Sequence, residues 1–394
     1  MLLQSLLKEV AMINTNQQAL LELLKASLFD TEPSFPEGVD WDAVLQEAKD
    51  QTVVALAAPY VPSQESGKWQ VPVKQNTATF LNLLNEQTNL IQLFQASNIP
   101  LVILKGFAAA MYYPAPLRRS MGDVDFLVPP EYFEKARKLM EENEYEFSSD
   151  HGTDRDYSYT KRGAVLELHH RYSDEKWDID PLILKSFPDI STRELFNHRF
   201  PVLPEMVNGL ILLDHVRHHL QGGLGIRQIV DWMMFVHANL SDESWKSSFS
   251  DLALQAGLET LAITMTSMSK QYFGLPDPIT WCDSAEEATT QELLEAVFNY
   301  GNFGSKLTEE IHPSEYITIS ARRMGLFRFL QTRGEQNWEN SQKHPFLRHF
   351  AWLYQIFRYF TRGTAALLRG EKIAKGMSSG TEKFDLLERL GLNR

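Results

Sequence analysis

Apolar residues in the first hundred positions recur at helical spacing. Over residues 17–29, leucines return every three or four positions, the period of a helix that buries one face. Residues 78–95 repeat this period, and Asn98-Ile99-Pro100 ends it, because a proline disfavours helix at the position before it. Asp40 is placed to begin another helix between these two. Residues 1–98 are therefore predicted to form a helical region.

The pattern changes after Pro100 to that of short buried strands. LVILK at 101–105 and VDFLV at 124–128 are continuous apolar runs rich in β-branched residues, bounded by Gly or Pro. The predicted strands are 101–105, 124–128, 157–161 and 164–169, and the predicted helices between them are 107–113 and 131–142. This order indicates a small α+β domain with a mixed sheet, which we place at residues 99–203.

Helical periodicity returns after Pro204 and continues to the end of the chain. The predicted helices are 207–220, 226–237, 252–273, 290–300, 316–331 and 346–368. The chain is thus predicted to be an α+β protein, in which a small mixed-sheet domain is flanked by N-terminal and C-terminal helical regions, the latter at 204–394.

Two carboxylates mark the second predicted strand as a candidate metal site. Asp123 and Asp125 alternate with Val124 and Phe126, so both carboxylates project from one face, about 6.6 Å apart along the strand. The two carboxylates repel each other unless a cation lies between them, and hard divalent ions, which prefer oxygen ligands, suit that position. Two such ions can clamp an in-line phosphoryl or nucleotidyl displacement.

Glu167 extends this candidate site from the last predicted strand, VLELHH. Val165, Glu167 and His169 share one face of it, whereas Leu166 and Leu168 share the other. A carboxylate at this position would complete a cluster of three.

A phosphate-binding turn is predicted at Lys105-Gly106, between the first strand and the next helix. Glycine lets a ligand approach the backbone closely, and the N-terminus of a helix favours anions. Arg118 and Arg119 are charge-assisted donors for the same phosphate oxygens.

These motifs, taken in order, resemble the uncharacterised nucleotidyltransferase family of the polymerase-β-like superfamily. The matching positions are Leu104, Lys105, Gly106, Arg119, Gly122, Asp123, Asp125, Val128, Glu167 and His169. The resemblance extends more weakly over residues 40–236. The chain departs from the superfamily at Phe107, where a serine or a second glycine is usual, and Ser120 is the candidate to replace that hydroxyl.

The resemblance implies a nucleotidyltransferase fold and an enzyme that transfers a nucleoside monophosphate from an NTP to an unknown hydroxyl or amine, releasing pyrophosphate. It implies bound Mg²⁺ or Mn²⁺ and an NTP donor, which we expect to be ATP. The expected catalytic and metal-binding residues are Asp123, Asp125 and Glu167, and the expected nucleotide-binding residues are Lys105, Gly106, Arg118, Arg119, Ser120, Gly122 and His169. The alternative is a non-catalytic protein that keeps the fold and binds a nucleotide or another ligand.

Four residues on the two helices after the sheet form a second candidate group. His215 and His219 are spaced i, i+4, as in helical zinc sites, but Val216 replaces the glutamate of the His-Glu-x-x-His motif. We therefore expect His215, His219, Arg227 and Asp231 to line the acceptor side of the cleft. An intrahelical ion pair explains Arg227 and Asp231 equally well.

The charge balance makes a long nucleic acid an unexpected partner. The 394 residues include 38 Lys and Arg against 51 Asp and Glu, a formal net charge of -13. Residues 321–394 nevertheless have a net charge of +8 and many aromatic residues, which suits a partner or an anionic membrane surface, although we favour a buried helix core with snorkelling arginines. A single cysteine, with no apolar run of membrane-spanning length and no signal-peptide pattern, leads us to expect a cytoplasmic protein.

Overall fold

The computed structural model describes residues 13–149, 155–173, 178–306, 312–368 and 373–392. They form two compact units, which divide between Ser305 and Lys306. The first unit contains the N-terminal helices, the sheet and the helices that follow it, and the second contains the remaining helices. The division of the chain at 98/99 and 203/204 stays a prediction.

The first two N-terminal helices begin where polar side chains accept hydrogen bonds from their first backbone N–H groups. The N-terminal helices are α1 Thr15–Phe29, α2 Trp41–Asp50, α3 Val54–Ala57 and α4 Gln70–Ala96. The Asn14 side chain accepts from the N–H of Gln17, and the Gln17 side chain accepts in return from the N–H of Asn14. The Asp40 side chain caps α2 by accepting from the N–H groups of Asp42 and Ala43. The long helix α4 starts before the predicted residue 78.

A five-stranded mixed sheet lies at the centre of the first unit. The strands are β1 Val102–Ile103, β2 Val124–Leu127, β3 Glu146–Ser149, β4 Asp156–Lys161 and β5 Ala164–His169, in the order β1-β2-β5-β4-β3. Of these neighbours, only β2 and β5 run parallel. The predicted α+β class with a mixed sheet is confirmed.

The apolar sides of β2 and β5 pack on α4 and on the short helices beside the sheet. These short helices are α5 Gly106–Ala110 and α6 Phe133–Glu142. Val124, Phe126, Leu166 and Leu168 are at most 1% exposed, as their predicted inward face requires, and Phe126 meets Phe94 of α4 edge to face at 5.5 Å. This packing fixes one side of the two strands and leaves their polar side chains on the other.

A hairpin that the sequence did not predict follows the sheet. It pairs β6 Ser191–Leu195 with β7 His198–Val202. Its turn residues, Phe196 and Asn197, both have positive φ, as a two-residue turn of type I′ requires. Because phenylalanine rarely adopts that conformation, the turn has no recognisable signal in the sequence.

Helices complete the first unit. They are α7 Asp180–Lys185, α8 Glu205–Gly222, α9 Ile226–Asn239, α10 Asp242–Ser244, α11 Ser250–Gln255, α12 Glu259–Tyr272 and α13 Glu287–Tyr300, with a π-helical segment at Trp245–Phe249. The single helix predicted over 252–273 is wrong, because Gly257 adopts a φ of 66° between α11 and α12.

The second unit is helical. Its helices are α14 His312–Met324, α15 Leu326–Asn337, α16 Glu339–Lys343, α17 Pro345–Arg348, α18 Ala351–Leu368 and α19 Ile373–Arg389. Gly325, with a φ of 81°, breaks the helix predicted over 316–331. Within the described residues, no helix is long and apolar enough to cross a bilayer.

One apolar face of α18 is exposed, so the prediction that this aromatic segment forms buried core is wrong for that face. Leu353, Ile356, Phe357 and Phe360 follow the spacing of one helical face and are 44–70% exposed. The opposite side of α18 is the buried one, where Gln355 accepts a hydrogen bond from Asn337. The packing on α15 instead involves Trp352 and Tyr359, whose rings lie 5.7 Å from Phe327 and 6.3 Å from Phe329 respectively.

The close approach of α8 and α9 depends on a missing side chain at Gly209. A Cβ built there would lie 2.2 Å from Cζ of Phe235, whose ring is fully buried among other aromatic rings. We predict that Gly209→Ala is less stable than Gly222→Ala by about 1–3 kcal/mol, because Gly222 lies on the same helix with nothing within 4 Å of its added methyl group. Urea unfolding measures both, and equal stabilities would contradict the packing account.

Candidate active site

The parallel pairing of β2 with β5 places the predicted carboxylates side by side. Asp125 is the register partner of Glu167, and Leu127 is the register partner of His169. Paired residues on neighbouring strands project from the same face of a sheet, so Asp125 and Glu167 meet on the side away from the core. Asp123 precedes β2 and is half-buried.

Three side chains converge there closely enough to ligate one ion. One ligand atom from each of Asp125, Glu167 and His169 lies within 4.8 Å of the other two. Nε2 of His169 is 3.1 Å from Oδ1 of Asp125 and 3.8 Å from Oε2 of Glu167. Because a carboxylate only accepts, Nε2 is the donor to Asp125. Asp123 is not a member of this group, and its predicted role as a metal ligand stays a prediction.

Lys105 supplies the cation that balances the most buried of these carboxylates. Its ammonium lies 2.7 Å from Oδ1 of Asp125, a carboxylate that is 3% exposed. The backbone of Lys105 has a φ of 43°, which is unusual for a residue with a side chain. The N–H of Leu104 donates to the carbonyl of Asp125 at 2.9 Å and fastens this turn to β2.

The carboxylates differ in the direction of their pKa shifts. Burial opposes ionisation of Asp125, but Lys105 and His169 outweigh it and hold the pKa of Asp125 below its usual value. Burial, Asp125 and Asp123 raise the pKa of Glu167 to about 8. Burial and Asp125 also raise the pKa of Asp123. Repulsion by neighbouring carboxylates therefore contributes to the raised pKa values of Asp123 and Glu167, which is the electrostatic character expected of a cation site.

Arg119 is buried in an ion pair with Asp231 of α9. Its Nε and Nη2 each donate to one oxygen of Asp231 at 2.7 Å, and the hydroxyl of Tyr113 donates to the same carboxylate at 2.6 Å. Arg119 is 4% exposed and Asp231 is 2% exposed. The loop before β2 is thus tied to a helix that follows more than a hundred residues later.

The other predicted nucleotide-binding residues lie at the Lys105-Gly106 turn and in the segment that leads into β2. Arg118 reaches the hydroxyl of Ser27 on α1 at 3.5 Å, and Gly122 is exposed. Gly106 is buried at the start of the five-residue helix α5. The carbonyl of Ser120 accepts from Arg119 and from Arg227, each at 3.3 Å. Their nucleotide contacts stay predictions.

The α8–α9 side of the site contains a pair of neutral imidazoles. Nε2 of His215 and Nε2 of His219 are 2.7 Å apart, so one ring donates and the other accepts. Burial and the charge of Lys105 hold the pKa of His215 well below its usual value and lower that of His219 to about 3. Among the described residues, Asp231 pairs with Arg119 and not with Arg227, so the intrahelical pair considered above does not form.

Sequence reasoning missed three residues of the site. The Ser158 hydroxyl donates to Glu167 at 3.4 Å, the Tyr172 ring lies 5.6 Å from the Lys105 ammonium, and Tyr113 completes the Arg119–Asp231 pair. Ser158 could have been predicted from the sequence, because counting outward from the Arg162-Gly163 turn pairs it with Glu167. Tyr113 and Tyr172 follow no local rule, since their partners come from distant segments.

Comparisons with known proteins point to one family. The family described as uncharacterised nucleotidyltransferase matches residues 37–274, more than half of the chain. No curated protein matches the chain.

Two solved structures share a distant likeness with the chain. The antibiotic-resistance factor ANT(2'')-Ia is 13% identical over 48% of this chain and 94% of that chain, with a TM-score of 0.30. An antigenic nucleotidyltransferase-like protein from Paracoccidioides brasiliensis is 16% identical over 49% of this chain and 92% of that chain, with a TM-score of 0.33. At these TM-scores neither likeness supports an argument.

Breaking the buried Arg119–Asp231 pair should destabilise the protein strongly. We predict that Asp231→Asn lowers the free energy of unfolding by about 3–5 kcal/mol, because it leaves a buried guanidinium without a counter-charge. Lys138→Ala is the control, since it removes a pair with Glu142 in which both side chains are at least 60% exposed, and it should cost less than about 1 kcal/mol. Similar losses for both variants in chemical denaturation would show that the buried pair is unimportant.

Proposed function

This chain belongs to the uncharacterised nucleotidyltransferase family, and we propose that it transfers a nucleoside monophosphate from an NTP to an acceptor hydroxyl or amine, with release of pyrophosphate. The family match confirms the resemblance drawn from the motifs and the general activity. The donor, the acceptor class and the metal are our proposals. The observation that supports them is the convergence of Asp125, Glu167 and His169 beside Lys105.

The donor atoms of this group fit a divalent cation. Carboxylate oxygens are the ligands that Mg²⁺ and Mn²⁺ prefer, and the raised pKa of Glu167 marks a carboxyl group that a cation would stabilise as its anion. Asp125 and Glu167 would hold such an ion, with Asp123 as the third proposed carboxylate. A bound ion would supply positive charge at the triphosphate and polarise the phosphoryl group under attack.

His169 is better suited to positioning a carboxylate than to binding Mg²⁺. Imidazole nitrogen favours transition metals over Mg²⁺, and Nε2 of His169 already donates to Asp125. We propose that this hydrogen bond fixes the orientation of the Asp125 carboxylate. Of the two ions proposed, Mn²⁺ tolerates a nitrogen ligand better, so direct ligation by His169 would fit Mn²⁺.

Lys105 is the nucleotide-binding residue with the strongest support among those predicted. Burial would lower the pKa of Lys105, but Asp125 and its neighbours outweigh burial and raise it, so the side chain is a permanent cation beside the carboxylates. It is therefore placed to neutralise phosphate charge in the proposed complex. We also propose nucleotide contacts for four further residues, Gly106, Arg118, Ser120 and Gly122.

Three further parts of the proposal concern the surroundings of the reaction. We propose ATP as the donor and the cytoplasm as the location. We also propose that the basic region 321–394 contacts an anionic membrane surface. The exposed stripe of Leu353, Ile356, Phe357 and Phe360, together with Arg358 and Arg362 on the same helix, supports that surface.

Calorimetric titration with NTP and Mg²⁺ tests the metal assignment. We predict that the double variant Asp123→Asn, Asp125→Asn binds NTP·Mg²⁺ at least about tenfold more weakly than the wild type, because a lost charged ligand removes well over 1 kcal/mol. Asp189→Asn, which removes an exposed carboxylate outside the site, should bind as the wild type does. Equal affinities for the wild type and the double variant would refute the assignment. Tight binding with no nucleotidyl product would instead favour the non-catalytic alternative.

A further inference from the structure

We infer that Arg227 of α9 binds the phosphates of the donor nucleotide, and that Arg119 of the sequence motif holds the loop before β2 in place instead. This inference rests on the proposed function, because it concerns how the same site holds an NTP. It reverses the expectation from the sequence, in which Arg119 contacts phosphate and Arg227 lies on the acceptor side.

Arg119 has little capacity left for a ligand. Two of its nitrogens donate to the two oxygens of Asp231 in the bidentate geometry that suits a guanidinium best. Its remaining nitrogen, Nη1, donates to the carbonyl of Ser120. Because the pair is buried, turning Arg119 toward a ligand would leave the Asp231 carboxylate buried and without that counter-charge.

Arg227, unlike Arg119, uses few of its hydrogen-bond donors. Its Nη1 donates to the carbonyl of Ser120 at 3.3 Å, and its buried Nε has no hydrogen-bond partner among the described residues. A guanidinium offers five N–H donors, and buried donors without acceptors are costly, so unused ones mark a side chain that a ligand can satisfy. Burial and the charge of Arg119 lower the pKa of Arg227. A bound anion would raise that pKa again, because it would stabilise the charged guanidinium.

The position of Arg227 points to the donor nucleotide. Ser120, which it contacts, lies in the loop that leads directly into Asp123. Arg227 therefore contacts the loop that ends at one of the proposed metal-binding carboxylates, where an NTP would place its phosphates.

The neighbouring imidazoles suit the same ligand. Lys105, Arg227 and Arg119 all lower the pKa of His215, so three cations lie within electrostatic reach of the neutral His215–His219 pair. Neutral imidazoles can donate hydrogen bonds to phosphate oxygens without adding further positive charge. A polyphosphate would receive charge-assisted hydrogen bonds from Lys105 and Arg227 in this region.

Equilibrium binding separates this assignment from a structural role. We would titrate ATP·Mg²⁺ into the wild type, Arg227→Ala, Arg227→Lys and the charge-matched control Arg199→Ala, which removes an exposed arginine from β7. Arg227→Ala should weaken binding about 10- to 100-fold, the loss expected for a charge-assisted contact. Arg227→Lys should lie between it and the wild type, and Arg199→Ala should match the wild type. The denaturation midpoint of Arg227→Ala should stay close to that of the wild type, whereas Arg119→Ala should lower it clearly.

Binding by Arg227→Ala as tight as by the wild type would overturn the inference. If that variant does not fold, Arg227→Lys decides, since it keeps the charge but loses the planar fork, and wild-type affinity would again overturn it. A wild type that binds no ATP·Mg²⁺ would refute the proposed function as well. Loss of binding in the Asp123→Asn, Asp125→Asn variant but not in the Arg227 variants would refute this inference alone.

Discussion

The buried carboxylate of Asp125 is the charge on which the arrangement of the site depends. An isolated carboxylate in the interior costs several kcal/mol, so the fold must provide it with partners. Lys105 and His169 supply them at 2.7 Å and 3.1 Å, one from an unusual backbone turn and the other from the neighbouring strand. Since Glu167 is the register partner of Asp125, the same strand pairing adds a second carboxylate beside the first, and the repulsion between them helps to raise the pKa of Glu167.

A second buried ion pair makes the helices after the sheet part of the site. Arg119 and Asp231 join the loop before β2 to α9, and Arg227 on that helix reaches the same loop. The close packing of α8 on α9 at Gly209 in turn brings His215 and His219 to this side. The proposed nucleotide site is therefore built by the sheet and by the helical region that follows it, and neither would position all of its groups alone.

The sequence predicted the parts of the site that depend on local periodicity. Alternation along the two strands placed Asp125 and Glu167 on the polar face of the sheet. It also placed His169 there, since His169 lies two residues after Glu167 on the same strand. The same reasoning missed β3, whose residues are mostly exposed and show no apolar alternation. It also missed the partner of Arg119, because a contact between residues 112 positions apart leaves no local pattern.

Periodicity shows which residues share a face but not what covers that face. The stripe at Leu353, Ile356, Phe357 and Phe360 was recognised from its spacing and assigned to a buried core, yet these side chains are exposed. The spacing of Arg227 and Asp231 likewise predicted proximity on one helix, while the stronger partner of Asp231 came from another segment. In both cases a long-range contact decided the outcome, and such contacts follow from the whole fold.

In the proposed reaction, the bond broken is the one between the α- and β-phosphates of the donor. Incubating the wild-type protein with Mg²⁺, an extract of small metabolites and an NTP labelled at its α-phosphate tests this directly. The proposed reaction predicts that the label moves into an acceptor product while unlabelled pyrophosphate is released, and that both depend on Asp125. Label recovered in a nucleoside diphosphate, which would mean transfer of the γ-phosphate, would contradict it.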